Sequence, residues 1–323
     1  MKTWTLYLVL PGRYGALISG VGMLALWALI QLWLVGEIFW ASTGLFFAAA
    51  LAYLPAVHAY ILSITRTAII ALAPNLSLSA AKQSETLGRV GNAGWRYQII
   101  CIVIGTCAAL LHIQYMGIIT LLPDGSPDLS SNMTRVNITG TLLTWITMIT
   151  VIADLIRNNS LVGNLALHFK QIDLFRKQPW QPLARVAIAS TLAIIGSNAL
   201  FPLMFIDSGT PPAMKILPAM ALTIPAVIAM VLLPLASARK QIKKQKLQRL
   251  EAVDQAIRRL PNPQSLIDMQ SLNTLLTQRA HLEKVSTWPF NLDNAGRLLF
   301  YMFIPPLTWV GAALIERLVD GFV

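Results

Sequence analysis

The sequence predicts an all-α integral membrane protein with about seven transmembrane helices, six clearly defined and one broken by proline. A cytoplasmic antiparallel helical hairpin is predicted between the sixth and seventh. Three observations carry this. First, 55% of the 323 residues are hydrophobic and only 12% are charged, against about 25% charged in a typical soluble domain. Second, apolar runs near the ~20 residues needed to cross hydrocarbon recur along the chain. Third, basic residues concentrate in alternate connections, the signature of the positive-inside rule.

The first apolar run, 15–36, is too long for a signal-peptide core and is followed by no small-x-small cleavage site, so it is read as a span. Further spans are predicted at 44–64, 98–117, 140–156, 186–206 and 216–236. A seventh segment, 298–315, is shorter and interrupted by Pro305 and Pro306, which suits a kinked span or a re-entrant segment. The segment 68–73, stopped by Pro74, is expected to lie along the membrane surface. Near 160–177, Val162, Leu165, Phe169, Ile172 and Phe175 recur at three- and four-residue spacing beside Lys170, Arg176 and Lys177. That pattern predicts an interfacial amphipathic helix.

Beyond the sixth span, 238–260 continues with good helix formers, and Leu250, Val253, Ile257 and Leu260 repeat at coiled-coil spacing. Pro261 and Pro263 end the helix. The pattern resumes over 264–285 with Leu272, Leu275, Leu276 and Leu282. Arms of this length reach roughly 33 Å at ~1.5 Å per residue, enough to stand clear of the bilayer. The predicted organisation is therefore a membrane domain over 1–237, a hairpin over 238–287 and a seventh segment over 288–323.

The net charge of +11 would suit nucleic acid, but 22 of the 25 Lys and Arg residues fall on one side if the N-terminus is cytoplasmic. Topology accounts for the charge, and no nucleic-acid partner is expected. The model organisation is N-terminus inside and C-terminus outside, with a bacterial inner membrane as the default location. Six of the basic residues, Arg239, Lys240, Lys243, Lys244, Lys246 and Arg249, directly follow a span. They are candidates for anionic lipid headgroups at about 1 kcal/mol each, or for a protein partner, or they serve only as a topology signal.

Ionisable residues inside spans are functional candidates by default because burying them is costly. The set is small: His58, His112, Asp154 and the uncharged Asn198, together with the proline-freed carbonyls before Pro305 and Pro306. Asp154 and Arg157 are spaced to pair on one helix face. His58 and His112 invite a proton relay or a metal pair, but the sequence shows no carboxylate deep in a span beside them. Cys101 and Cys107 lie on different sides of one helix and read as core residues, not as a disulfide or metal pair. No phosphate-binding Gly-Lys-Ser/Thr loop, His-Glu-x-x-His or Gly-x-Ser-x-Gly motif occurs, so no cofactor is expected and an enzyme is the weakest reading. The leading expectation is an assembly, scaffold or signal-coupling subunit acting through the hairpin, either toward a protein partner or as a homo-oligomer. The alternative is a transporter or channel for an uncharged or lipid-like substrate.

Overall fold

The computed structural model describes residues 1–12, 14–38, 42–119, 128–170, 180–205, 213–260 and 266–287. Within them the chain is helical and contains no strand. A short 3-10 helix, Trp4–Leu8, precedes α1 (Gly15–Val35), α2 (Ser42–Leu72), α3 (Ala80–Arg89) and α4 (Trp95–Tyr115). Then follow α5 (Asn132–Leu165), α6 (Gln181–Asn198), α7 (Ala213–Arg258) and α8 (Leu266–Lys284). Five helices are long and apolar enough to cross a membrane: Gly15–Val35, Thr43–Asn75, Trp95–Tyr115, Asn132–His168 and Met220–Arg258. The protein is an all-α integral membrane protein.

Helix ends follow local chemistry. Gly36 closes α1 in the left-handed conformation (φ 76°), its N–H returning to the Leu32 carbonyl. Ser79 caps α3 by accepting the Lys82 N–H. α2 and α5 form the centre, each with 56% of its apolar window buried, whereas only 17% of the α1 window is covered. The outward faces of α1 and α4 present Leu17, Val21, Leu29, Ile100, Val103 and Leu111, as helices facing lipid must.

The interior forms three apolar clusters in succession along the helices. At one end lie Phe46, Phe47 and Leu51 of α2 with Trp27 of α1 and Val136 of α5. In the middle lie Leu54 and Ile61 of α2, Met148 and Leu155 of α5, Ala193 of α6 and Met230 of α7. The third cluster joins Ile69 and Leu72 of α2, Val162 of α5, Leu183 of α6, Ala238, Ile242 and Val253 of α7 and Leu282 of α8. α6 touches all three in order, from Leu183 through Ala193 to Leu200 and Phe201 just beyond its end. Glycines allow the closest approaches. A Cβ on Gly105 of α4 would stand 2.6 Å from the Ile146 Cα of α5, and one on Gly163 of α5 would stand 2.8 Å from the Pro234 Cα of α7.

Several expectations are corrected. Residues 68–73 do not form a separate surface piece; α2 continues through Leu72, and Ile69 and Leu72 are buried. The interfacial helix expected near 160–177 is not one helix. Val162 and Leu165 complete α5, a 3-10 turn follows, and Phe169 pairs as an isolated bridge with Leu76, closed by Ser77 N–H to His168 O at 2.7 Å. An amphipathic helix is found instead at α3, whose Leu87 packs inward while Lys82, Glu85 and Arg89 face out. The segment expected at 186–206 is a helix over Gln181–Asn198 followed by a 3-10 helix, Phe201–Phe205. Ile242 and Val253 of α7 and Leu282 of α8 pack into the third cluster beside the helices of the bundle. The predicted seventh segment, with Pro305 and Pro306, lies outside the described residues.

Candidate functional site

Asp154 lies on a polar stripe of α5 made by Thr147, Thr150, Asp154 and Asn158 at three- and four-residue spacing, all buried. α2 presents His58, completely buried, toward this stripe. The His58 Nε2 stands 2.8 Å from Asp154 Oδ2, and Arg157 reaches back one turn to Asp154 Oδ1 at 2.5 Å. The sequence reading that no carboxylate accompanies the span histidines is therefore wrong for His58. The two residues lie 96 positions apart in the chain, so only the register between α2 and α5 brings them together.

The third component is the N-terminal segment, which the sequence analysis did not include. Lys2 pairs with Asn92 as an antiparallel bridge, with Thr3 N–H donating to Gly91 O at 3.0 Å and Ala93 N–H to Met1 O at 2.9 Å. Gln98 accepts the Trp4 N–H at 2.9 Å and donates to Lys2 O at 3.1 Å. The Trp4 indole donates to Thr150 at 3.2 Å. These contacts seat Thr3 and Thr5, both fully buried, against the ion pair. Thr5 Oγ1 lies 2.9 Å from His58 Nδ1. The Thr3 hydroxyl lies 3.2 Å from Gly91 O and 3.3 Å from Asp154 Oδ2 and divides one proton between them. Gly91 needs its left-handed backbone here (φ 73°), and a Cβ would meet Leu62 at 2.9 Å.

With the proton on Nε2, His58 donates to Asp154 and accepts the Thr5 hydroxyl, so both ring nitrogens are engaged, and Arg157 completes the chain as an ion pair with Asp154. An imidazole between a carboxylate and a hydroxyl also has the connectivity of a nucleophilic triad. Thr5, however, is sealed from solvent and lipid, and no substrate reaches it while the N-terminal segment is seated. In the observed state the chain ties three elements together. Arg157 is its one outlet: its side chain is 30% exposed, and its guanidinium stacks 5.1 Å from the Tyr97 ring.

The other candidates are dispersed. The His58 ring nitrogens are taken by Thr5 and Asp154 and not by His112, so the relay or metal pair weighed for the two histidines is not formed. The His112 ring lies 5.5 Å from that of Trp145. It lines a cavity of about 40 Å³ with Phe46, Phe47, Thr144 and Ser197, room for a few waters. Asn198 donates to Thr223 at 3.2 Å, joining α6 to α7. Among the basic six, Lys246 is taken up by the end of α8, donating to the carbonyls of Glu283 at 2.7 Å and Val285 at 2.9 Å. Lys240, Lys243 and Lys244 are exposed. Among the described residues no group of three or more His, Cys, Asp or Glu residues is placed to hold a metal.

Comparison with known proteins gives no relative. The chain matches no protein-family model, no curated protein and no solved structure.

Proposed function

We propose that the protein is a non-enzymatic integral membrane subunit for assembly or signal coupling, which presents α7 and α8 as a helical hairpin to a protein partner or a second copy. The observation that carries this reading is the continuity of α7. It runs as one helix from Ala213 to Arg258, through Pro218, Pro225 and Pro234, without a break. Its later half is clasped by α8, through Arg279 to Asp254 at 2.7 Å and Lys246 to the α8 end, while Ala238 and Ile242 remain in the bundle core. A displacement on one part of this helix is felt by the other. The hairpin also exposes large apolar residues outside the span windows, Met269 (58%) and Leu276 (48%) of α8. These are seven residues apart and so share a face.

In this proposal α6 makes a further crossing beside the five long helices, 298–315 makes the last, and the hairpin and N-terminus lie on the cytoplasmic side of a bacterial inner membrane. The exposed lysines at the root, Lys240, Lys243 and Lys244, face anionic headgroups. A transporter reading has less support, because the enclosed cavity at His112 is small, the larger open space beside it (about 510 Å³) is lined mostly by apolar side chains, and His58 is enclosed by protein groups.

The test is cross-linking in native membranes. Leu276→Cys in a Cys107→Ser background should give one discrete cross-linked species, and Met269→Glu should abolish it without lowering the amount of inserted protein. A hairpin cysteine that stays uncross-linked, or a species unaffected by Met269→Glu, would sink the proposal.

A further inference from the structure

We infer that the groove between α3 and α5 is a binding site for the headgroup of an anionic phospholipid. The groove has a volume of about 450 Å³ and is open along one side, within the ~300–1,000 Å³ range of small-ligand sites. Lys82 and Arg89 of α3 and Arg157 of α5 line it, with Leu78 and Leu161 among its apolar lining residues. Glu85 is the one acidic residue in the lining and is already engaged by Arg89 at 2.6 Å. The Lys82 ammonium has no acidic partner among the described residues. Arg157 spends one edge on Asp154, and 30% of its side chain stays exposed.

Three features select a phospholipid over a free solute. α3 is an amphipathic helix between the end of α2 and the start of α4, the level at which headgroups lie. The cations share the groove with the hydroxyls of Thr86 and Ser160 and with three leucines, Leu78, Leu161 and Leu165, which suits a phosphate among the polar groups and the start of an acyl chain alongside Leu161. Basic pockets between helices at the positive face of a membrane protein are a recurrent mode of headgroup recognition. The occupant is anionic, because Lys82 is left uncompensated while Glu85 and Asp154 engage Arg89 and Arg157, and a zwitterionic headgroup would bring a further cation beside it. The site is separate from the lysines at the root of the hairpin.

The probe is a photoactivatable phosphatidylglycerol in nanodiscs holding the full-length protein, with the labelled peptides identified by mass spectrometry. Peptides covering 78–89 and 157–168 should be labelled. Lys82→Gln with Arg89→Gln should lower labelling about tenfold or more, as expected for removing two basic contacts. Both side chains are exposed, so the variant should fold, and an unchanged melting temperature verifies it. Lys243→Gln with Lys244→Gln should leave groove labelling intact. Equal labelling by a phosphatidylcholine analogue, labelling confined to 239–249, or no loss in the Lys82/Arg89 variant would each overturn the inference. So would displacement of the lipid by millimolar glycerol 3-phosphate, which would make the site one for a soluble phosphate.

Discussion

Asp154 is the residue on which the buried tie depends, since it accepts from His58 and Thr3 and forms an ion pair with Arg157. Asp154→Ala leaves a guanidinium and an imidazole without their acceptor and should cost about 3–5 kcal/mol. Asp154→Asn keeps an acceptor for His58 and should cost about 1–3 kcal/mol. Thermal unfolding of the purified protein measures both, and equal effects would show that the charge contributes nothing. Thr5→Val should cost about 1 kcal/mol and should speed protease cleavage near the N-terminus. As individual residues, His58 and Asp154 were legible as polar groups in apolar runs. Their pairing was not, because it depends on helical register across 96 residues. Thr3 and Thr5 carried no such signal, being two hydroxyls in a short stretch ahead of the first span.

At the level of elements, close helix contact rests on missing side chains. Gly105→Leu and Gly163→Leu force α4 from α5 and α5 from α7, and each should cost about 1–3 kcal/mol or more. Gly22→Leu, where nothing lies within 4 Å, should be neutral. Melting temperatures of the three variants test the assignment, and a drop for Gly22→Leu as large as the others would refute it. The helix interiors could be read from hydropathy, but their ends could not, and α2 shows why. Thr65, Arg66 and Thr67 look like a loop, yet the two hydroxyls bond back to the carbonyls of Ile61 and Ser63, and Arg66 reaches out to Val90 O. Polar side chains satisfied by their own helix leave no mark that separates them from a loop. α3 was missed for a related reason: ten residues are too few to display a helical period against polar surroundings.

For the whole molecule, the distribution of basic residues predicts an orientation that reporter fusions can test. A reporter active only outside the cytoplasm should be active when fused after Val323 and after Ser208. Activity at Ser208 alone would mean that 298–315 does not cross. The alternation of charge was legible because it is a sum over many residues, whereas the packing of α7 and α8 into one cluster with the bundle depends on a few apolar contacts such as Ile242 and Leu282. The seat of the N-terminal segment also has a consequence for the order of synthesis. Thr3 leaves the ribosome ahead of its contact Asp154, which follows 151 residues later, roughly 8–30 s at the usual elongation rates of ~5–20 residues per second. For that interval Thr3 and Thr5 lack part of their seat, and His58 is without its carboxylate. The segment ahead of α1 is thus among the last parts to find its place, and its docking reports that α2 and α5 have come together.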